Sequence, residues 1–358
     1  MNRTIAVEDN VGETRLAIIE DGRVAELHIE RWREYDTRAR PGAIYLGRVR
    51  KVDAGLNAAF IDLGIGSDGF LPFGKTGRPA GLHEGAAWPV EIAREAFATK
   101  GPNLKSLDMD ATGDAPCLIE AALPLAERLA KRYPEARICW ADETDIDISE
   151  VIDEALQSRV DIPGGGALIV EPTAALTAID VDASGRTSQG GAAKLAADLN
   201  RSAAKEAARQ IRLRGLGGVV AVDFVHMRDR KLHTEIVQIV RRAFKRDAAR
   251  VDVAPMSPFG IVELARQRTA RSLSEIMLDE AGMRSIETCA LLALKRLEDE
   301  GRAVRGRRAT LRVSAEIADW LGENEAIWHD AMTERLGPRF EIESVDGCTR
   351  ETCNVVMA

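Results

Sequence analysis

Three aspartates carry the chemistry that this sequence offers. Asp180 and Asp182 stand two residues apart in the run Thr-Ala-Ile-Asp-Val-Asp at 177–182, and Asp223 ends the apolar run Val-Val-Ala-Val-Asp at 219–223. If both runs are strands, residues two apart point the same way, so Asp180 and Asp182 share a face while Ile179 and Val181 take the other. Pairing of the two strands would bring three carboxylates together among valines, where uncompensated charge is expensive to bury. A divalent cation would remove that cost. Magnesium takes oxygen ligands, keeps several waters and is held by one or two carboxylates together with a substrate phosphate. Such a site can activate water and neutralise phosphoryl oxygens, which is what hydrolysis of a phosphodiester requires. A second reading makes Asp180 and Asp182 turn residues at a strand end and Asp223 a helix cap or the partner of an arginine, and the residues alone leave both open.

The elements that must position these side chains follow from periodicity. Residues 162–273 read as an α/β unit: strands at 167–170 and 176–182, a helix at 192–214 with Leu195, Leu199, Ala203, Ala207 and Ile211 on one stripe, the apolar strand at 217–225, a basic helix at 231–246 and a strand at 251–254. Upstream, Asp21-Gly22 between two alternating runs signals a hairpin. Glycine-broken β runs at 43–52, 58–63, 69–72 and 90–96 suggest a small closed barrel. Gly, Pro, Asn and Asp cluster at 100–113 as a boundary, followed by helical spacing over 117–133 and a short strand at 137–140. From residue 285 a helix, a β-like stretch and another helix read as a separate small α/β domain.

The totals bound the function. At 358 residues two or three packed units are expected, and 45% hydrophobic with 30% charged residues describes a globular chain. No apolar run approaches bilayer length and the N-terminus mixes charges, so a cytoplasmic location and no membrane partner are expected. The five cysteines never form a Cys-x-x-Cys pair, which predicts reduced, mostly buried thiols and no structural zinc. A net charge of -8 argues against indiscriminate nucleic-acid binding. Local basic clusters matter more: Arg201, Lys205, Arg209, Arg212 and Arg214 on one helix, then Arg228, Arg230, Lys231, Arg241, Arg242, Lys245, Arg246 and Arg250 after Asp223, read as a phosphate track or as solvated helix faces. His226, just past Asp223, could touch a substrate, although a structural role is the plainer reading.

Four ordered stretches resemble the catalytic DNase I-like subdomain of the ribonuclease E/G family: Glu-Pro-Thr-Ala-Ala-Leu-Thr-Ala-Ile-Asp-Val at 171–181, Ala-Ala-Arg-Gln-Ile-Arg-Leu-Arg-Gly-Leu-Gly-Gly at 207–218, Val-Asp-Phe at 222–224, and Phe-Gly-Ile-Val-Glu-Leu-Ala-Arg-Gln-Arg at 259–268. The stretches at 44–49, 58–62 and 69–72 are similar to the family's OB-fold RNA-binding module. The resemblance implies an α/β (α+β, multi-subdomain) fold: an RNase H-like subdomain at 1–36 and 114–158, an OB fold of S1 type at 37–105 inserted into it, a DNase I-like catalytic subdomain at 159–275, and a small C-terminal domain at 285–358. It implies hydrolytic cleavage of single-stranded RNA to 5′-phosphate products, with magnesium, or manganese in its place, held by Asp180 and Asp223 and assisted by Asp182, which stands where the family usually has asparagine. RNA contacts are implied for Phe60, Phe70 and Lys100, with Arg48, Arg212 and Arg250 as further candidates. The alternative for the two phenylalanines is barrel core.

The departures are equally specific. Only 104–115 separate the OB-like block from the next RNase H-like stretch, so the family's 5′-sensor is missing, and no preference between 5′-monophosphorylated and 5′-triphosphorylated RNA is expected. The Cys-x-x-Cys zinc link is missing too, which removes zinc-bridged pairing and leaves a homodimer through the C-terminal domain as the expectation. The competing function is a non-catalytic RNA-binding protein or ribonucleoprotein adaptor on the same scaffold.

Overall fold

The chain opens on a meander whose turn chemistry is written in the sequence. Strands β1 (Arg3–Asn10), β2 (Glu13–Glu20) and β3 (Arg23–Arg31) pair antiparallel in order. The β2–β3 turn puts Asp21 at φ 50° and Gly22 at φ 81°, the twisted geometry that suits a two-residue hairpin. The computed structural model describes residues 3–35, 37–96, 100–110, 113–185, 191–304 and 306–358, and of Thr76 the backbone alone.

A closed barrel follows: β4 (Ile44–Asp53), β5 (Ala58–Asp62), β6 (Gly69–Pro72), β7 (Ala87–Arg94) and β8 (Asn103–Ser106), in the order β5-β6-β8-β7-β4 with β4 returning to β5. A register break between Val49 and Lys51 bends β4 so that it serves both neighbours, the usual device for closing a small barrel. Two glycines are there for room. A Cβ on Gly69 would enter the Leu104 side chain, and one on Gly101 would collide with the carbonyl oxygen of Asp68. The expected boundary at 100–113 therefore contains β8, the strand that completes the barrel.

The chain returns through β9 (Cys117–Glu120), which pairs with β4, then α1 (Leu125–Arg132) and β10 (Arg137–Trp140), which joins β1 in parallel. The helix expected over 117–133 is thus half strand. Pro124 caps the true helix, and the free edge of β4 recruits the residues before it. Helix α2 (Ile148–Leu156) is capped by Asp147, whose side chain accepts from the amides of Ser149 and Glu150.

The largest sheet has the order β11-β12-β13-β14-β16-β15, from β11 (Arg159–Asp161), β12 (Ala167–Pro172), β13 (Thr177–Asp182), β14 (Gly218–Asp223), β15 (Val251–Val253) and β16 (Ile261–Arg266). Strand β16 was not read from periodicity. It alternates buried Val262 and Leu264 with exposed Glu263 and Ala265, but buried Arg266, paired with Asp247 at 2.7 Å, disguises its end. Helix α3 (Gly191–Leu213) crosses from β13 to β14 and α4 (Arg230–Ala243) packs beside it. Both cover one face, over Leu168, Val170, Ile179, Val181, Val220, Val222 and Val262. Gly215, at φ 65°, ends α3, and the amide of Leu216 donates back to Ile211.

The remainder is α5 (Leu273–Met277), α6 (Ile286–Ala303), β17 (Ala309–Val313), α7 (Ala315–Glu323), α8 (Glu325–Leu336), β18 (Phe340–Ser344) and β19 (Cys353–Met357), a β18-β17-β19 sheet backed by helices. Its core takes in Val11, and Arg335 reaches Asp9 at 2.8 Å, so it is docked on the first sheet. Cys139 and Cys289 are buried, Cys348 and Cys353 half-buried and Cys117 exposed, and all are free thiols. Among the described residues no helix is long and apolar enough to cross a membrane.

Helix α3 is fastened to the first sheet by buried ion pairs. Arg212 donates to Glu20 at 2.9 Å and to Glu26 at 2.7 Å. Burial alone would raise the Glu26 pKa, but His28 and Arg212 outweigh it and hold the carboxyl at about 2. A carboxylate depressed below its ordinary value of 4.5 contributes stability above that pH, and the contribution is lost as pH falls from 4.5 through about 2. Acid titration of the melting temperature should show a decline in that window, and Glu26→Gln should flatten it. Arg212→Gln leaves Glu20 with Arg3 alone and Glu26 with His28 alone as ion-pair partners among the described residues, and should cost about 3 kcal/mol in chemical denaturation.

Candidate active site

Strands β13 and β14 are parallel, joined through α3, and ligand sites in such β-α-β units lie at the carboxyl ends of the strands. Both aspartates lie there. Asp180 is the register partner of Asp223, so the two stand side by side at the strand spacing of about 4.8 Å. Both are exposed, while Ile179 and Val222 beside them are buried under α3 and α4. Among the described residues neither carboxylate has a hydrogen bond or an ion pair.

Asp182 shares their face but not their freedom. One of its oxygens accepts from the Ser184 hydroxyl at 2.6 Å and amide at 2.9 Å, and the other pairs with Arg159 at 2.9 Å. The Ser184 and Arg159 hydrogen bonds hold its pKa at about 2. Among the described residues no group of three or more His, Cys, Asp or Glu is placed to hold a metal ion. The expected convergence of three carboxylates gives way to a pair, because Asp182 closes a turn and reaches across β12 to Arg159 of the edge strand β11.

Periodicity missed two further acids. Glu171 on β12 is the partner of Ala178, and Glu263 on β16 is the partner of Ala221, so both flank the pair on the same open face. Reading 261–266 as an alternating strand would have found Glu263. A third missed residue works from behind. Asn200 of α3, fully buried, donates to the Val225 carbonyl at 2.7 Å and accepts from the Val225 amide at 3.1 Å. It pins the loop that leaves Asp223, and a ring nitrogen of His233 bonds the Met227 carbonyl at 2.9 Å within the same loop. Exposed His226, Arg228 and Arg230 with Arg241 line a cleft of about 790 Å³ beside it. The ring of Phe259, 84% exposed, stands two residues before Ile261, the register partner of Asp223.

The other candidates divide. Phe60 and Phe70 are cross-strand partners on the barrel, half-buried and outside its core, with ring centroids 5.8 Å apart at 64°. The Phe70 amide donates to the Pro102 carbonyl, which brings the segment after exposed Lys100 to the same strand. Arg48 is committed to the Ala115 and Gly85 carbonyls. Arg212 is 7% exposed and paired with Glu20 and Glu26, and Arg209 bonds the Val24 carbonyl, so these two α3 arginines belong to an internal joint and not to an exposed phosphate track. Arg250 is well exposed and pairs with Asp252 at 3.1 Å.

The sequence matches the model of the ribonuclease E/G family over residues 78–269. It is 34% identical over 181 residues to Ribonuclease E of Haemophilus influenzae, covering 49% of this chain and 19% of that protein. It is 40% identical over 132 residues to Ribonuclease E of a Nostoc species, covering 37% of this chain and 19% of that one. Against Ribonuclease G of Haemophilus influenzae it is 21% identical over 482 residues, covering 96% of this chain and 97% of the other. The chain thus spans about a fifth of the length of the first two relatives, and a 358-residue chain drawn against 482 positions is a shortened one. The model match takes in the carboxylate pair and the strands on either side of it, and by that match this chain belongs to the ribonuclease E/G family.

Proposed function

We propose that this chain is a magnesium-dependent endoribonuclease of RNA processing or decay, cleaving single-stranded RNA hydrolytically to 5′-phosphate products. The observation that carries the proposal is the lateral pair of exposed carboxylates, unpartnered among the described residues, toward the ends of two parallel strands. Two like charges in register, with no cation of the protein against them among the described residues, are the oxygen donor set that magnesium accepts. Asp180 and Asp223 would hold the ion, which when bound polarises a water and neutralises phosphoryl oxygens. The residues around them orient the strand. The Asn200-pinned loop that leaves Asp223 carries Arg228 and leads into Arg230 of α4, and both line the cleft to which a phosphate flanking the scissile one would be drawn. The Phe60–Phe70 pair offers bases a stacking surface, with Lys100 toward the backbone. The same reading makes the barrel an OB fold inserted into an RNase H-like subdomain, with the six-stranded sheet as a DNase I-like catalytic unit.

Incubation of labelled single-stranded RNA with magnesium should give internal cuts that EDTA abolishes and that the Asp180→Ala, Asp223→Ala double variant loses by more than about 100-fold. Intact cutting by that variant overturns the assignment. Asp182→Asn should retain most activity, since its carboxylate is already engaged by Arg159 and Ser184. Phe60→Ala and Phe70→Ala should each weaken RNA binding by roughly 1–3 kcal/mol per stacked base, read by fluorescence anisotropy. Asn200→Ala should fold, melt lower by an amount corresponding to about 1–3 kcal/mol, and cut more slowly, because the Val225 amide and carbonyl are left unpaired.

A further inference from the structure

The greatest concentration of unmet hydrogen-bonding capacity lies away from the carboxylate pair and shares no residue with it. A cavity of about 190 Å³ opens between β3, α1, the end of α3 and the segment after β16, far more than the ~15 Å³ that one water needs. Eight arginines and four glutamates line it. Glu30, Glu34 and Glu95 are shared among Arg38, Arg40, Arg128 and Arg271, while Arg212 and Arg266 use Glu20, Glu26 and Asp247. Arg132 and Arg214 remain without a carboxylate among the described residues.

Arg214 is the decisive one. It is 7% exposed, its Nε donates to Gln210 Oε1 at 2.8 Å and its Nη2 to the Gln157 carbonyl at 2.8 Å, so its charge meets only neutral acceptors. Burial and the nearby Arg209 pull its pKa down to about 10 against the weaker pull of Glu206, which makes no ion pair with it among the described residues. Buried polar atoms are almost always bonded, yet among the described residues the Nε atoms of Arg128, Arg212 and Arg271 are buried without a hydrogen-bond partner, that of Arg38 has only a poorly aligned Glu95 oxygen at 3.3 Å, and all four residues belong to this wall. Buried guanidinium charge without a counter-ion is strongly unfavourable, and guanidinium forks match tetrahedral oxyanions in geometry.

We propose that this cavity is a binding site for a phosphate-sized oxyanion, inorganic phosphate or the phosphate of a monoester, held by Arg214 with Arg132 at its rim. The bound anion supplies the missing negative charge and ties together elements from the first sheet, α1, α3 and the segment leading to α5. Anything that binds the folded state alone stabilises it by mass action.

The full chain should therefore melt higher in sodium phosphate than in sodium chloride of equal ionic strength, by about 4 °C at a hundredfold excess over the dissociation constant. Arg132→Gln, at an exposed position, should leave the phosphate-free melting temperature unchanged and weaken phosphate binding about tenfold by calorimetry. Arg214→Gln should lose the phosphate shift altogether. If Arg214→Gln does not fold, the Arg132→Gln result decides. Uridine 5′-monophosphate separates the sources: displacement of phosphate by it shows that the opening admits a monoester, and a shift with phosphate alone assigns the site to the free ion. The proposal is overturned if phosphate gives no shift beyond chloride, or the same shift in the wild type and Arg132→Gln. Neither result bears on the nuclease assignment, which rests on Asp180 and Asp223.

Discussion

The lateral register of two parallel strands is the constraint on which the site depends. Asp180 and Asp223 sit side by side because Ile179, Val181, Val220 and Val222 must face α3 and α4. A one-residue slip would turn every side chain over, bringing the carboxylates under the helices and the apolar residues into water. The hydrophobic core therefore fixes the position of two charges that repel one another. The repulsion is tolerable, about 1 kcal/mol for unit charges 4 Å apart in water, only because the face is open. The arrangement holds an unfavourable interaction that the proposed cation would offset.

Helix α3 serves that register from both sides. As the crossover between β13 and β14 it makes their parallel pairing possible. Its inner face buries Ala196, Leu199, Ala203, Ala207 and Ile211 on the sheet, and Asn200 among them fastens the loop beyond Asp223. Its other long face carries Glu206, Arg209 and Arg212, which bind Arg23, the Val24 carbonyl, Glu20 and Glu26 of the first sheet. A 23-residue helix with two buried faces explains why it is rich in alanine and why Glu206, Arg209 and Arg212 are engaged.

That double burial also marks where the sequence could be read and where it could not. The Asp21-Gly22 hairpin, four of the five barrel strands and the alternation of Ile179, Asp180 and Val181 follow from local rules of turn and pleat, and the structure has them. The basic residues of α3 could not be sorted by spacing, because an arginine facing water and one facing a glutamate from residue 20 or 26 look alike until the long-range partner is known. Residues 117–120 carry helical spacing but form a strand, since the free edge of β4 decides the matter. Asn200 was hidden for the opposite reason: one polar residue in an alanine-rich stripe gives no periodic signal, although its two hydrogen bonds to Val225 shape the site.

The remaining oddity, an aspartate at 182 where the family pattern has asparagine, resolves by counting charge. A third free carboxylate on this open face would add two repulsive pairs to the one already there. The edge strand β11 supplies Arg159 against Asp182, and Ser184 donates twice to it, which keeps it ionised to about pH 2. Asp182 together with Arg159 is then neutral as a unit, as an asparagine would be. Asp180 and Asp223 then remain the unneutralised aspartates of these two strands, with Glu171 and Glu263 flanking them, and a substitution that looks like a change of ligand set becomes a change in how the neighbouring turn is held.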